Sequence, residues 1–352
     1  MKKTLALILA LALTLSLAAC GSSAPQQSAE PQQTEETSSP EEQNTAPAET
    51  FTFRMGHSQA ADHPFNDTCE HFAKLVNEKT NGAVTINVFP NSQLGDEATM
   101  LESVSMGTLD FLMANGANTA AYVPELGFLG TCFLFDSTDH LVAVTEDEQV
   151  NQIYSDIVAS KDLGISLLCL MGNGMRYLYT ATPVSSLDDL KGLKIRVMPS
   201  AVDNLVWTEL GATATTVAFS EVYSALQTKM VDGAENTFSS YAASKHYEVA
   251  PYVTMTEHQW LVTELWASDA TLAKLPAEYV DAIYEAAMET SSYSLQHQLE
   301  VDAAYQEELE AAGVTFIDID TQPWKDVVQP LHEGIAADLG CTEVLNRIND
   351  LR

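Results

Sequence analysis

Apolar positions along the chain change their period several times. Residues 51–57, Phe-Thr-Phe-Arg-Met-Gly-His, alternate with the period of two of a half-buried strand, whereas Phe65, Cys69, Phe72, Ala73 and Val76 recur three or four apart, as on one face of a helix. Pro64 suits the first turn of that helix and Asn81-Gly82 ends it. A strand is expected at 84–89, a loop at 90–95, a helix over about 96–106 and a strand at 109–114. The succession β-α-β-α-β predicts an α/β sheet whose ligands sit beyond the carboxyl ends of the strands.

The unit begins again near residue 165, with strands expected at 165–170, 176–180 and 193–198 separated by short turns and one acidic helical turn at 186–190. Helices at about 202–210 and 220–229 then alternate with strands near 214–218 and 231–234, so two lobes are expected. Between Pro276 and Gly313 there is no Gly or Pro. An unbroken helix there is about 55 Å long at 1.5 Å per residue, enough to span both lobes, and two helices joined at a kink are the alternative.

The first residues follow another logic. Lys2 and Lys3 precede an apolar run from Leu5 to Leu17, and the stretch ends Leu17-Ala18-Ala19-Cys20-Gly21. This is the pattern of a secretory signal over 1–19 that resembles a bacterial lipobox, which implies lipidation of Cys20 and tethering to the outside of the membrane. Residues 21–50 contain six glutamates and no aromatic residue, Lys or Arg. Such a segment buries too little to offset its ordering entropy, so 20–50 reads as a lipidated cysteine and a solvated tether for a body starting at residue 51.

Composition narrows the partners. The 352 residues carry a formal charge of −33, and the body keeps 14 basic against 43 acidic residues. Nucleic acids are excluded as partners, because their binding depends on cations that neutralise phosphates. Cys69, Cys132, Cys169 and Cys341 are an even set that permits two disulfides, but their apolar neighbours favour buried free thiols, and no pair has metal-binding spacing. The chain has no Gly-x-Ser-x-Gly, His-Glu-x-x-His or phosphate-binding Gly-x-x-x-x-Gly-Lys motif, so no enzyme, metal or cofactor is expected, with an exported hydrolase the minor alternative.

Arginine is rare, with five in the whole chain. Arg196 lies inside the strand pattern Leu193-Lys194-Ile195-Arg196-Val197-Met198, and Arg176 lies between glycines and an apolar strand. Half-buried arginine needs a partner, and its planar fork fits a carboxylate bidentately. An internal salt bridge and a bound anion are both open for each.

Several motifs resemble the DctP-type solute receptors of tripartite ATP-independent periplasmic (TRAP) transporters. They are Phe89-Pro90-Asn91-Ser92-Gln93-Leu94-Gly95, Gly107-Thr108-Leu109-Asp110, Tyr122-Val123-Pro124-Glu125, Gly192 to Pro199, Ala218 to Thr228, Val231 to Asn236 and Leu275-Pro276, with Gly56-His57 and His63-Pro64 upstream. The resemblance implies a two-lobe periplasmic-binding-protein-like fold with mixed sheets, hinge segments and a long C-terminal spanning helix. The lobes are expected to be 51–173 with 262–301 and 174–261 with 302–352, with hinges near 173 and 261. It further implies an extracytoplasmic receptor that passes a small organic acid to the small and large membrane subunits of a permease, or presents it to a sensor. Matched residue by residue, Arg196 corresponds to the ligand-carboxylate arginine, Arg176 to a second cleft arginine, Phe219 to an aromatic wall and Asn236 to a ligand-binding amide.

On the other side of the cleft, His57, Ser58, Gln59, Glu97, Asn115, Asn118 and Thr119 follow expected strands and can read the rest of the ligand. Trp260 is a candidate wall, whereas Trp207 sits among helix-spaced apolar residues and is expected in the core. This set, rich in neutral donors and acceptors, favours a sugar acid such as a uronate or aldonate. A C4-dicarboxylate, with one carboxylate on each arginine, or a 2-oxo acid is the alternative.

Overall fold

The computed structural model describes residues 49–352, so the signal segment, Cys20 and nearly all of the tether lie outside the described residues. Nine strands are present among them: β1 (Phe51–Gly56), β2 (Val84–Phe89), β3 (Phe111–Asn115), β4 (Ile165–Thr180), β5 (Lys194–Val197), β6 (Thr213–Thr216), β7 (Gly233–Asn236), β8 (Tyr252–Ser268) and β9 (Thr315–Ile317). They form one mixed sheet in the order β2-β1-β3-β8-β4-β7-β5-β6, and β9 pairs with β8.

The register explains where a site can form. Strands β1, β2 and β3 run parallel at one end of the sheet, and β5, β6 and β7 run parallel at the other. Between them β4 and β8 pair antiparallel. The last residue of β3, Asn115, pairs with Thr263, which lies opposite Met171, and the last residue of β7, Asn236, pairs with Tyr177. Both parallel groups therefore aim their carboxyl ends at the middle of β4 and β8, the place where α/β sheets bind ligands.

Local signals act as read in the first unit. The helix Pro64–Lys79 is capped by His63, whose Nδ1 accepts from the Phe65 amide at 3.1 Å, and it buries the periodic face from Phe65 to Val76. Asn81 and Gly82 end it with φ of 52° and 81°. The helix Ala277–Ala311 is continuous for 35 residues, about 52 Å. It gives Ile283 to the apolar cluster around Phe72 and Phe111, Leu295 to the one around Trp207 and Trp266, and Leu309 to the one around Tyr179 and Phe238. The four body cysteines are free and buried.

Residues 165–170 and 176–180 are not two strands joined by a glycine turn but one strand of 16 residues. Gly172 and Gly174 serve close packing instead: a Cβ at 172 would lie 3.2 Å from Leu295 Cδ2, and one at 174 would meet the Asp302 carboxylate, both on the long helix. The strand β8 is a long central strand where the sequence predicts only a crossing near 261. Its ladder with β4 shifts register between Gly172 and Met175 and again between Arg176 and Leu178, where residues 255–258 bulge out and Glu257 takes φ 42°.

Gly174→Ala is expected to lower the unfolding free energy by ~1–3 kcal/mol through overpacking against the long helix. Gly334→Ala, in a helix with nothing within 4 Å of the added Cβ, should leave it unchanged or slightly raised. Urea denaturation of both variants checks this, and equal effects would mean that β4 and the helix are not packed as described.

Candidate functional site

Loops at the converging strand ends enclose a cleft. Its outer part, about 390 Å³ including the open mouth, has Ser58, Ser92, Asp96, Glu97 and Asn118 facing Pro199, Phe219 and Ser220. Its inner part is lined by Gln59, Asn115, Arg176, Arg196, Met198 and Asn236, and the two parts share Glu97, Asn118 and Phe219. Side chains widely separated in sequence thus meet because each follows a strand of the two parallel groups.

Arg196 is 1% exposed. Its Nε donates to the Val217 carbonyl at 2.9 Å, which fixes the plane of the fork, while Nη2 has no partner among the described residues. Burial pulls its pKa below the usual arginine range. A buried guanidinium short of acceptors is an unfinished ion pair, and a bidentate carboxylate is the chemistry that completes it.

Arg176 is different. Its Nε and Nη2 donate to Glu235 Oε2 and Oε1 at 2.5 and 2.8 Å, and Nη1 donates to Asn236 Oδ1 at 2.9 Å. The internal salt bridge left open in the sequence is the arrangement here. Burial opposes the charge on Glu235, but Arg176 and His258 outweigh it and hold the carboxyl at about 2. Arg176 therefore lends positive field and orients Asn236, while its fork is already taken.

Across the cleft Glu97 is buried. Its Oε1 accepts from Ser58 Oγ at 2.5 Å, and its Oε2 accepts from the Asn115 amide at 2.9 Å and Asn118 Nδ2 at 3.0 Å. Burial nevertheless pushes its pKa up, against the pull of those three hydrogen bonds and, more weakly, of Arg196. Asn115 also caps the turn it begins, accepting from the Ala117 amide, so its side chain is a scaffold for Glu97 as much as a ligand group. Phe219 meets His246 edge to face at 6.0 Å, and His246 Nδ1 pairs with the Tyr179 hydroxyl at 2.8 Å.

Two sequence candidates lie elsewhere. His57 is buried with Nε2 bonded to Asn66 Oδ1 at 3.2 Å, and burial lowers its pKa to about 4. It faces Asn66 and not the cleft lining. Trp260 lines a separate groove with Phe133, Met175 and Lys325. Trp207 is core, edge to face with Trp324 at 6.4 Å and with His258 at 5.3 Å.

Asp203, His258 and Glu264 carry no local signal in the sequence that marks them as site residues. Asp203 stands three residues after the helix cap Ser200, so it reads as a first-turn acid, yet it is buried with Oδ2 unpartnered and close enough to sense Arg176 and Arg196. Glu264 lies behind Glu97 in the middle of β8 with neither oxygen bonded by a side chain, and burial drives its pKa well up. A Cβ on Gly116 would stand 2.6 Å from Glu264 Oε1, so only glycine lets the turn bearing Asn118 settle there.

The profile described as DctP, bacterial extracellular solute-binding protein, family 7, matches residues 55–338. A TRAP periplasmic solute-binding protein from Xanthobacter autotrophicus Py2, solved with bound β-D-galacturonate, is 32% identical, with 85% of this chain and 100% of that one covered and a TM-score of 0.79. A second, from Chromohalobacter salexigens DSM 3043 with bound D-glucuronate, gives 32% identity, the same coverage of 85% and 100%, and a TM-score of 0.79. The C4-dicarboxylate-binding periplasmic protein DctP of Rhodobacter capsulatus is 30% identical over 304 residues, 85% of this chain and 90% of that protein.

The buried acid beside the arginines gives the site a pH signature. Burial first, and Glu235 second, raise the Asp203 pKa to about 8, far above an unfolded carboxyl near ~4. The native state then holds a proton that the unfolded chain releases, so this group's contribution to stability is full below pH ~4 and is lost as pH rises towards about 8. Asp203→Asn should match the wild type at acid pH and gain on it progressively, from ~1 kcal/mol at pH 5 to ~5 kcal/mol at pH 8. Parallel stability curves for the two proteins, followed by denaturant unfolding, would remove Asp203 from this role.

Proposed function

Because the chain belongs to the DctP family, family 7 of the bacterial extracellular solute-binding proteins, we propose that it is a sugar-acid receptor whose cleft takes one ligand carboxylate on Arg196. The observation that carries this reading is the buried guanidinium with Nε engaged and Nη2 free. The opposite wall suits hydroxyls: Ser58, Asn118 and Glu97 offer a hydroxyl, an amide and a carboxylate, and Phe219 offers a flat face to a sugar ring. Uronates bound by the Xanthobacter and Chromohalobacter relatives have this chemistry, a single carboxylate on a polyol.

A C4-dicarboxylate, as in the name of the Rhodobacter relative, fits less well. Arg176 is closed to a second carboxylate by Glu235, and Glu97 opposes an anion on the far wall. Arg176 and Asn236 act together, the first holding the second by its Oδ1 so that its amide nitrogen is turned outwards as a donor.

The protein is an extracytoplasmic receptor of the TRAP class. In our reading the strands β1–β3 and β5–β7 belong to two lobes that close over the ligand, with the register shifts of β4 and β8 as hinges. The lipid on Cys20 and the tether would hold it at the membrane, where the small and large permease subunits receive the ligand.

A thermal-shift panel of galacturonate, glucuronate, galactonate, succinate and malate tests the ligand class. At 100 times its dissociation constant a ligand adds ~2.7 kcal/mol to native stability, so a sugar acid should raise the melting temperature while the dicarboxylates should not. Arg196→Ala should abolish the shift, and Arg196→Lys should weaken it at least ~10-fold in affinity, since an ammonium lacks the fork. Stabilisation by succinate alone would overturn the reading.

A further inference from the structure

We propose a second small-molecule site, for an aromatic zwitterion such as an α-amino acid with a flat side chain, in the groove behind the middle of β4 and β8. Met175 and Arg176 are consecutive in β4, so their side chains leave opposite faces of the strand: Arg176 lines the cleft and Met175 the groove. The groove has about 450 Å³ of room, the size of a small-molecule pocket.

Its floor offers Trp260, Phe133 and Met175, and its walls carry Lys325 and Glu257. A third charge, Asp136, is taken by Arg352 at 3.2 Å. Lys325 Nζ stands 5.8 Å from the Phe133 ring centre, and among the described residues neither Lys325 nor Glu257 has an ion-pair partner. Two unpaired opposite charges lining one groove with Trp260 and Phe133 select a ligand bearing both signs and a flat apolar part. An anion alone is opposed by Glu257 and by the acidic body, and a cation alone is opposed by Lys325.

Backbone strain marks the same place. Phe133 and Glu257 adopt φ of 57° and 42°, a region bulky residues rarely enter except where the surroundings and function hold them. The Phe133 amide donates to the His258 carbonyl at 2.7 Å, and the His258 ring reaches Glu235 at 3.4 Å, the carboxylate that grips Arg176. The groove therefore touches the hinge bulge and, through one histidine, the floor of the cleft.

Isothermal titration of the purified protein with L-tryptophan tests the proposal, with tryptamine and indole-3-acetate as single-charge probes. One saturable site with a dissociation constant below ~1 mM is expected, at least ~10-fold weaker for either single-charge probe and in Lys325→Met and Glu257→Gln. Both positions reach solvent, and their melting temperatures report whether each variant is folded. The site should persist in Arg196→Ala, which disables the cleft. Absence of saturable binding to the wild type, unchanged affinity in both groove variants, or loss of binding in Arg196→Ala would each overturn it.

Discussion

A guanidinium that has left water with one hydrogen bond to a backbone carbonyl is the constraint on which the cleft depends. Arg196 sits at the end of a strand because strand alternation turns it away from the core residues Ile195 and Val197, and the converging loops then remove it from solvent. A charge so placed is costly unless an anion completes it. Arg176 supplies the contrast, since the same residue type at a similar strand position is completed internally by Glu235 and so becomes structure. In the proposed receptor one arginine receives the carboxylate and the other holds its neighbours.

The same geometry places the site on the central strands. Strand ends aim at the middle of β4 and β8, where the ladder between them shifts register. The long helix crosses behind it and joins all three apolar clusters. A ligand bridging Arg196 and Glu97 would contact both parallel groups at once, and it can favour a closed form only by binding that form better.

Half-buried elements were legible in the sequence and doubly buried ones were not. The strand at 51–56 and the helix at 64–79 show a clean period because one face is wet. In β8 buried Thr263, Glu264 and His258 interrupt the apolar pattern that would mark a central strand, and in β4 the glycines imitate a turn although they serve close packing against the helix. Site residues were legible where a rare type stood in an unfavourable place, as with Arg196. Nothing local distinguished Arg176 from it, because the deciding partner, Glu235, lies 59 residues away among 43 acidic residues of the body. Asp203 was hidden by its resemblance to a helix-capping acid, and Trp260 stands at the groove because it pairs with Met175, on the face of the strands opposite Arg176.

The most direct measurement compares D-glucuronate with its uncharged amide, D-glucuronamide, on the wild type and on Arg196→Ala by calorimetry. If the unfinished ion pair at Arg196 drives binding, the amide should bind the wild type at least ~2 kcal/mol more weakly, the scale of a buried charge left unpaired. That difference should shrink below ~0.5 kcal/mol in Arg196→Ala, because the two changes remove the same contact. Equal affinity of acid and amide for the wild type, or an undiminished difference in the variant, would contradict the role assigned to Arg196.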